Sequence, residues 1–214
     1  MKLYLSSYKL GNETETLKKW LASTDKRVGY VPNAFDFTSM PPENRIKHMD
    51  FDMNGLKSLG FTVEVLDFRD YFGKKEGLRE KLKILDMLWV SGGNTFVLRQ
   101  AMHLSGFDQL TKELQEREDF VYGGYSAGCC VLSPTLKGLQ TVDEPYDYPY
   151  EGLKETIWEG LGVIDYMFLP HYDSDHPESE KIAEEVVYCQ ENELPYKTVR
   201  DGEVVLVEKC SFRK

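Results

Sequence analysis

The chain has 214 residues, enough to fill the core of one α/β domain, and a single domain over residues 1–214 is expected. Its formal net charge of −10 disfavours nucleic acid and anionic membrane surfaces as partners. No stretch approaches the roughly 18 apolar residues of a membrane-spanning helix. The first residues also lack the pattern of a signal peptide, so a cytoplasmic protein is expected.

The cysteines favour a reduced compartment. The chain has four cysteines, Cys129, Cys130, Cys189 and Cys210. None shows the spacing of a metal site, and Cys129 and Cys130 are adjacent in the chain. We expect the adjacent pair to be small buried packing residues. Neither a metal nor an organic cofactor is expected.

The first half of the chain alternates between two kinds of segment. β-formers predict strands, and apolar residues at helical spacing predict helices; the strands are expected at 2–6, 27–32, 61–68 and 84–90, and the helices at about 12–21, 42–59 and 78–82. The run at 84–90 is almost continuously apolar, as is typical of a parallel strand covered on both faces. This alternation predicts three layers, a doubly wound and mostly parallel sheet with helices on both faces.

The second half continues the pattern around one irregular segment. Helices are predicted at about 95–102, 107–118 and 178–193, and strands at 120–122 and 163–170. Residues 135–160 lack periodicity and are rich in Tyr, Asp, Glu and Pro, which favours a functional loop. Residues 199–207 are predicted to form a C-terminal β-hairpin around the turn Asp201-Gly202.

A G-x-S-x-G motif lies between the predicted strand 120–122 and an apolar helix. It runs from Gly124 through Ser126 to Gly128, and in a strand–turn–helix setting it is the nucleophile elbow of serine hydrolases. The turn is so sharp that small residues are needed on both sides of the nucleophile. Ser126 is therefore the candidate nucleophile, although the same residues also form ordinary tight turns.

A histidine at the end of a later strand is the best candidate base. His171 follows the strand 163–170, and ligands bind beyond the carboxyl ends of the strands in this class of sheet. His176 precedes a proline at a helix start, where a capping or solvent-exposed role is expected. His48 and His103 fall within predicted helices and are interpreted as structural.

The remaining parts of an acyl-transfer site are an acid and two oxyanion donors. Asp143, Glu144 and Asp147 lie in the irregular loop, and composition does not select one of them. The backbone N–H groups of Gly93, in the turn Gly92-Gly93-Asn94, and of Ala127 suit the oxyanion.

Four motifs together resemble the peptidase E and cyanophycinase family of serine peptidases. They are Val-Ser-Gly-Gly-Asn-Thr-Phe at 90–96, Gly-Tyr-Ser-Ala-Gly at 124–128, Ser-Pro-Thr at 133–135 and Leu-Pro-His at 169–171. The resemblance implies a glutamine-amidotransferase-like fold in which serine replaces the amidotransferase cysteine.

The resemblance also implies a role for each site residue. Ser126 would be the nucleophile, His171 the base, and Gly93 with Ala127 the oxyanion hole. The family's acid lies in a Thr-Asn-Asp-x-Pro-like segment, which the residues at 141–145 match except that Val142 replaces the asparagine. Asp143 is therefore the expected acid, with Glu144 in reserve.

The expected function is hydrolysis of short peptides through an acyl-enzyme, and the resemblance adds a dipeptidase or exopeptidase with aspartyl preference. The substrate-binding residues stay unassigned, because Arg99 and Lys137 are only candidate cations. An α/β-hydrolase-like esterase and a catalytically silent ligand-binding protein of the same fold are the alternatives. Both a monomer and a homodimer are compatible with the sequence.

Overall fold

The computed structural model describes residues 1–208, and its centre is a six-stranded sheet. The strands of this sheet are β1 (Lys2–Ser6), β2 (Arg27–Val31), β3 (Thr62–Val65), β4 (Met87–Val90), β5 (Val121–Tyr125) and β8 (Val204–Val207). They lie in the order β3-β2-β4-β5-β1-β8, and all neighbours are parallel except β1 and β8. The mostly parallel, doubly wound α/β fold predicted from the alternation is confirmed.

The centre of the sheet is apolar and buried on both faces. Every residue of β4 and β5 is buried, and Gly124 of β5 lies beside Val90 of β4 and Leu5 of β1. Two apolar clusters cover the faces of the sheet, one of them around Phe96 and Phe107 and the other around Trp89. The carboxyl end of β5 is thus held between two neighbouring strands.

Seven α-helices connect the strands of the described chain. They are α1 (Thr14–Trp20), α2 (Pro42–Ser58), α3 (Lys75–Lys83), α4 (Thr95–Ser105), α5 (Phe107–Gln115), α6 (Ala127–Cys130) and α7 (Ser179–Glu191). Asn94 caps α4 by accepting a hydrogen bond from the amide of Val97 at 2.9 Å, as its type and position predict. No helix among residues 1–208 is long and apolar enough to cross a membrane.

The strand before His171 differs from its prediction. β6 covers only Met167–Leu169 and pairs in parallel with β7 (Tyr196–Thr198), in a separate two-stranded sheet. The amides of Leu161 and Val163 instead donate to carbonyl oxygens of Val131 and Leu132, in the segment that follows α6. These bonds hold residues 161–163 against the segment that follows α6, so residues 161–163 cannot pair with a strand.

The C-terminal turn at Asp201-Gly202 is present, and the strand after it is antiparallel to its partner. That partner is β1, since Ser6 lies beside Val204 and Leu3 beside Val207. β7 and β8 therefore belong to different sheets, and the turn between them crosses the carboxyl end of β1. Cys210 lies outside the described residues.

Candidate active site

Ser126 occupies a strained turn between β5 and α6. Its backbone has φ 48° and ψ −118°, a combination that L-residues rarely adopt and that is held here by both flanking elements. A Cβ atom on Gly124 or Gly128 would lie 2.7 or 2.4 Å from the carbonyl oxygen of Val90. Both glycines are required because the end of β4 passes this close to the elbow.

Backbone hydrogen bonds hold the elbow on both sides. The Ser126 amide donates to the carbonyl oxygens of Ser6 and Ser7 at 3.3 and 3.2 Å. The Ser126 carbonyl oxygen accepts from the amides of Cys129 and Cys130 at 2.8 and 2.9 Å. The side chain of Ser126 is only partly buried and lines a cavity at this edge of the sheet.

His171 lines the same cavity and contacts the carboxylate of Asp201, which was predicted only as part of a turn. Its Nδ1 lies 2.7 Å from Oδ1 of Asp201. The Ser7 hydroxyl donates to the same oxygen at 2.8 Å and accepts from the His171 amide at 2.8 Å. Asp201 thus fixes the imidazole with Nδ1 protonated, which leaves a lone pair on Nε2.

Burial keeps His171 neutral. The side chain is 1% exposed, and burial lowers the pKa of His171 to about 4, with a further decrease from His176. Asp201 opposes both effects because it favours the charged imidazolium. At neutral pH the imidazole is therefore unprotonated, as a general base must be.

Two further residues crowd His171. The ring of His176 stacks on it with 3.7 Å between centroids and 8° between planes. The Glu178 carboxylate lies 3.9 Å from Nε2 of His171. Burial, followed by repulsion from Asp143 and Asp201, raises the pKa of Glu178 to about 7. His176, predicted to cap a helix or face solvent, accepts a hydrogen bond from the Glu178 amide at 3.2 Å before α7 and also stacks on the candidate base.

Asp143 lies on the cavity wall, in contact with α4. Its carboxylate accepts a hydrogen bond from the Thr95 amide at 2.8 Å, in the first turn of that helix. Burial raises the pKa of Asp143 to about 6, and the bond from Thr95 partly offsets this increase. The position expected for Asp143, on the far nitrogen of His171, is held by Asp201.

The reserve acid also points elsewhere. The Glu144 side chain is exposed and accepts a hydrogen bond from the Tyr146 amide at 3.0 Å. Asp147, the third acid of the loop, accepts from the Thr38 amide at 2.7 Å. All three loop carboxylates are thus engaged with backbone amides, and the imidazole is oriented from another part of the chain.

The geometry of Gly93 suits the donor role predicted for it. Gly93 has φ 133° and lines the cavity, and a Cβ atom there would lie 2.3 Å from the carbonyl oxygen of Ala34. The same oxygen accepts from the Asn94 amide at 2.8 Å, which fixes the turn. The second predicted donor, Ala127, is the first residue of α6, where amides have no partner within the helix.

The cavity around these residues has a volume of about 390 Å³. His48, expected to be structural, lies on its wall and stacks on Phe35, whereas His103 contacts Asp108 near the end of α4. Among residues 1–208, Lys9 is the single Lys or Arg side chain on the cavity wall. The space is comparable with that of small-molecule binding sites.

One functional contact was missed in the sequence because its signal was assigned to a turn. Asp201 precedes Gly202, and this pair predicts tight turns wherever it occurs. The turn is present, but its aspartate side chain points to His171. An acid downstream of the histidine and beside a glycine is too common a pattern to identify the contact.

The fold and this arrangement define a serine hydrolase, in which a serine elbow and a buried neutral histidine line one cavity and an aspartate contacts the far nitrogen of the histidine. The model of Peptidase family S51 matches residues 5–214. The chain belongs to this family and is a serine-type peptidase, as the resemblance of its motifs implied.

Relatives agree with this assignment, and a solved structure shares the fold. An uncharacterized peptidase of Listeria monocytogenes is 32% identical over 70% of this chain and 67% of its own length. A peptidase E of Streptomyces coelicolor is 30% identical over 87% of this chain and 78% of its own length. The crystal structure of a candidate peptidase E from Listeria monocytogenes has the same fold, with a TM-score of 0.71, 24% identity and coverage of 96% of this chain and 97% of its own.

Proposed function

We propose that the protein hydrolyses short peptides through an acyl-enzyme on Ser126. The observation that carries the proposal is the strained Ser126 elbow, which faces the same cavity as His171, whose Nδ1 lies 2.7 Å from Oδ1 of Asp201. Membership of a peptidase family favours peptides over the esters of an α/β-hydrolase and over a silent binding protein.

In the proposed acylation, the Ser126 oxygen attacks the scissile carbonyl carbon and Nε2 of His171 takes the hydroxyl proton. Asp201 stabilises the resulting imidazolium through Nδ1 without itself becoming protonated. The amides of Gly93 and Ala127 donate to the oxyanion. The proton on Nε2 then passes to the leaving amine, and a water activated by the same nitrogen releases the acyl group from Ser126.

The charge of the cavity bears on which peptides are accepted. Lys9 is the cavity cation, but its Nζ is already bonded to Asp52 at 2.9 Å and to the Tyr125 hydroxyl at 3.0 Å. Asp143, Glu144 and Glu178 line other parts of the wall. These carboxylates suit a protonated amino terminus, so we extend the proposal to an exopeptidase that removes one or two residues from that end.

An aspartyl preference depends on Lys9 in this proposal. A relative from Drosophila melanogaster, 29% identical over 72% of this chain and 61% of its own length, is named probable alpha-aspartyl dipeptidase. The other candidate cations do not line the cavity: Arg99 donates to Asp108 and to the Glu159 carbonyl oxygen, and Lys137 is exposed. An aspartyl side chain would therefore share Lys9 with Asp52.

The substrate proposal predicts a dependence on Lys9. With free-amino aminoacyl coumarin amides, Lys9→Met should lower kcat/KM for the aspartyl substrate at least tenfold more than for the alanyl substrate. N-acetylated versions of both amides should be poor substrates, because acetylation removes the amino-terminal charge. An equal effect of Lys9→Met on both substrates would exclude the aspartyl role of Lys9, and rapid cleavage of the acetylated amides would exclude the exopeptidase.

The mechanism is tested by covalent labelling. A fluorophosphonate probe should label Ser126, identified by mass spectrometry at residue level, and Ser126→Ala should abolish both labelling and hydrolysis with an unchanged melting temperature. Cys129 and Cys130 are the internal control, because both are buried and burial raises the pKa of each thiol. An adduct on either cysteine, or equal labelling of the serine variant, would refute the serine mechanism.

A further inference from the structure

Three potential metal ligands meet at the edge of the active-site cavity. The carboxylate of Glu178 lies 3.9 Å from Nε2 of His171 and 4.0 Å from Nδ1 of His176. One donor atom from each of the three residues lies within 4.8 Å of the others. All three side chains line the cavity, so an ion could enter from solvent.

The cluster has the outer contact that metal-binding histidines usually have. Nδ1 of His171 is occupied by Asp201 at 2.7 Å, which leaves the lone pair of Nε2 available toward Glu178. A carboxylate on the far nitrogen orients a ligating imidazole and makes it a stronger donor. Asp201 is held in turn by the Ser7 hydroxyl and, through its own amide, by Ser174.

Two of the three distances between donor atoms are close to those of a zinc site. Bonds of about 2.0–2.2 Å at tetrahedral angles place donor atoms roughly 3.3–3.5 Å apart, so the two pairs that include Glu178 must close by about 0.5 Å. The two histidine nitrogens, which lie within 4.8 Å of each other, must close by up to about 1.5 Å. His171 is 1% exposed and fixed, whereas the side chains of His176 and Glu178 are 19% and 37% exposed. The two partly exposed ligands can therefore move to the fixed one.

His176 has to leave its stacked position for the lone pairs to converge. Its ring lies parallel to that of His171, and its Nδ1 accepts a long hydrogen bond of 3.2 Å from the Glu178 amide. Tilting the ring replaces this bond with a metal bond. The movement involves side chains at the start of α7 and leaves the sheet unchanged.

We propose that His171, His176 and Glu178 form a binding site for a divalent transition metal of the zinc type, and that the bound ion inhibits the enzyme. Two imidazoles and one carboxylate favour Zn²⁺ over Mg²⁺ and Ca²⁺, which prefer oxygen ligands. Inhibition follows because the ion takes the Nε2 lone pair that would accept the Ser126 proton. The inhibition rests on the proposed function, whereas the binding does not.

Binding is measured first on Ser126→Ala protein, in which no catalysis is involved. Co²⁺ should give the visible absorption of a tetrahedral site at a 1:1 ratio, and Zn²⁺ but not Mg²⁺ should displace it. Adding Glu178→Gln or His176→Ala should weaken Co²⁺ and Zn²⁺ binding roughly tenfold or more. His103→Gln is the matched control, because this exposed histidine near the end of α4 lies outside the cavity.

The site is refuted if Co²⁺ gives no such spectrum, or if the two ligand variants bind metal as tightly as the His103 control.

The regulatory step is measured separately, as hydrolysis by the parent enzyme with and without Zn²⁺. We expect loss of activity that a chelator restores, and an inhibition constant that rises at least tenfold in Glu178→Gln. Full activity at Zn²⁺ concentrations that saturate binding would overturn the inhibition. An enzyme inactive without metal would count against the proposed function, and the binding spectra would be unaffected.

Discussion

At the residue scale, the site contains two carboxylates with different contacts. Asp201 contacts Nδ1 of His171, whereas Asp143 accepts from the Thr95 amide at the start of α4. The charge that stabilises the imidazolium therefore comes from Asp201 in the proposed mechanism. A substitution that removes this charge but keeps the size of the side chain separates the two roles.

Asp201→Asn should lower kcat roughly 10²–10⁴-fold with little change in KM, because asparagine can favour the wrong tautomer of His171 and cannot stabilise the imidazolium. Asp143→Asn is the matched comparison and should change kcat less than tenfold, since Asn can still accept from Thr95. Steady-state kinetics on one substrate, with melting temperatures of both variants, measure the contrast. A larger loss in Asp143→Asn would restore the acid expected from the Thr-x-Asp-x-Pro segment.

At the scale of elements, the position of the nucleophile depends on how closely β4 and α6 approach. A Cβ atom on Gly128 would lie 2.4 Å from the carbonyl oxygen and 2.9 Å from the carbonyl carbon of Val90. These are backbone atoms of a central strand and cannot rotate away. Either α6 or the end of β4 would have to shift, and Ser126 would move with it.

Gly128→Ala should therefore lower the free energy of unfolding by about 2 kcal/mol or more, as overpacked sites do, and reduce labelling of Ser126. Gly77→Ala is the matched control in α3, where the new Cβ would meet only ordinary contacts of 3.8 Å with Tyr71. There alanine should stabilise by about 0.5–1 kcal/mol because it favours the helix. Urea unfolding should show a lower free energy of unfolding for Gly128→Ala and a higher one for Gly77→Ala. Equal effects of the two substitutions would show that the close approach of β4 does not prevent a larger residue at Gly128.

At the scale of the whole molecule, carboxyls with raised pKa values link stability to pH, and Glu185 has the largest shift among Asp143, Glu178 and Glu185. Glu185 on α7 is 0% exposed, and neither of its side-chain oxygens has a hydrogen-bond partner among the described residues. Burial, with repulsion from Asp143, raises the pKa of Glu185 to about 8. Below that pH the folded chain carries Glu185 as the neutral acid.

Glu185 should consequently make stability fall as pH rises through the range from about 4.5 to 8. In this window the folded chain holds a proton that the unfolded chain has released, so each increase in pH favours unfolding. The contribution of Glu185, present below pH 4.5 and lost above pH 8, is about 5 kcal/mol at most.

Urea unfolding at pH 5, 7 and 9 should show a smaller decline in Glu185→Gln than in the parent. Asp143, Glu178 and His171 also have shifted pKa values, and their pH dependence is common to both proteins. Glu184→Gln is the matched control, because the neighbouring side chain is exposed, and it should keep the slope of the parent. Parallel profiles for the parent and Glu185→Gln would show that another group carries the pH dependence.

Much of what the sequence predicted about this protein depends on interactions between residues that are close in the chain. Strand and helix periodicity and the glycines around Ser126 depend on neighbours close in the chain, and the structure has both. The position of His171 after a short buried strand was also predictable. These features follow from local propensity and sterics, which a single sequence displays directly.

Only the tertiary structure decided which groups surround the base. Asp201 reaches His171 because β8 pairs with β1 and β7 with β6, so the turn between the two sheets lies beside the imidazole. His176 and Glu178 meet His171 through the turn that precedes α7. Such contacts depend on where distant elements dock, and docking follows from burial of apolar faces rather than from the residues beside each aspartate. The Thr-x-Asp-x-Pro segment predicted Asp143 as the acid on the imidazole, whereas long-range packing placed Asp201 there and left Asp143 on the cavity wall.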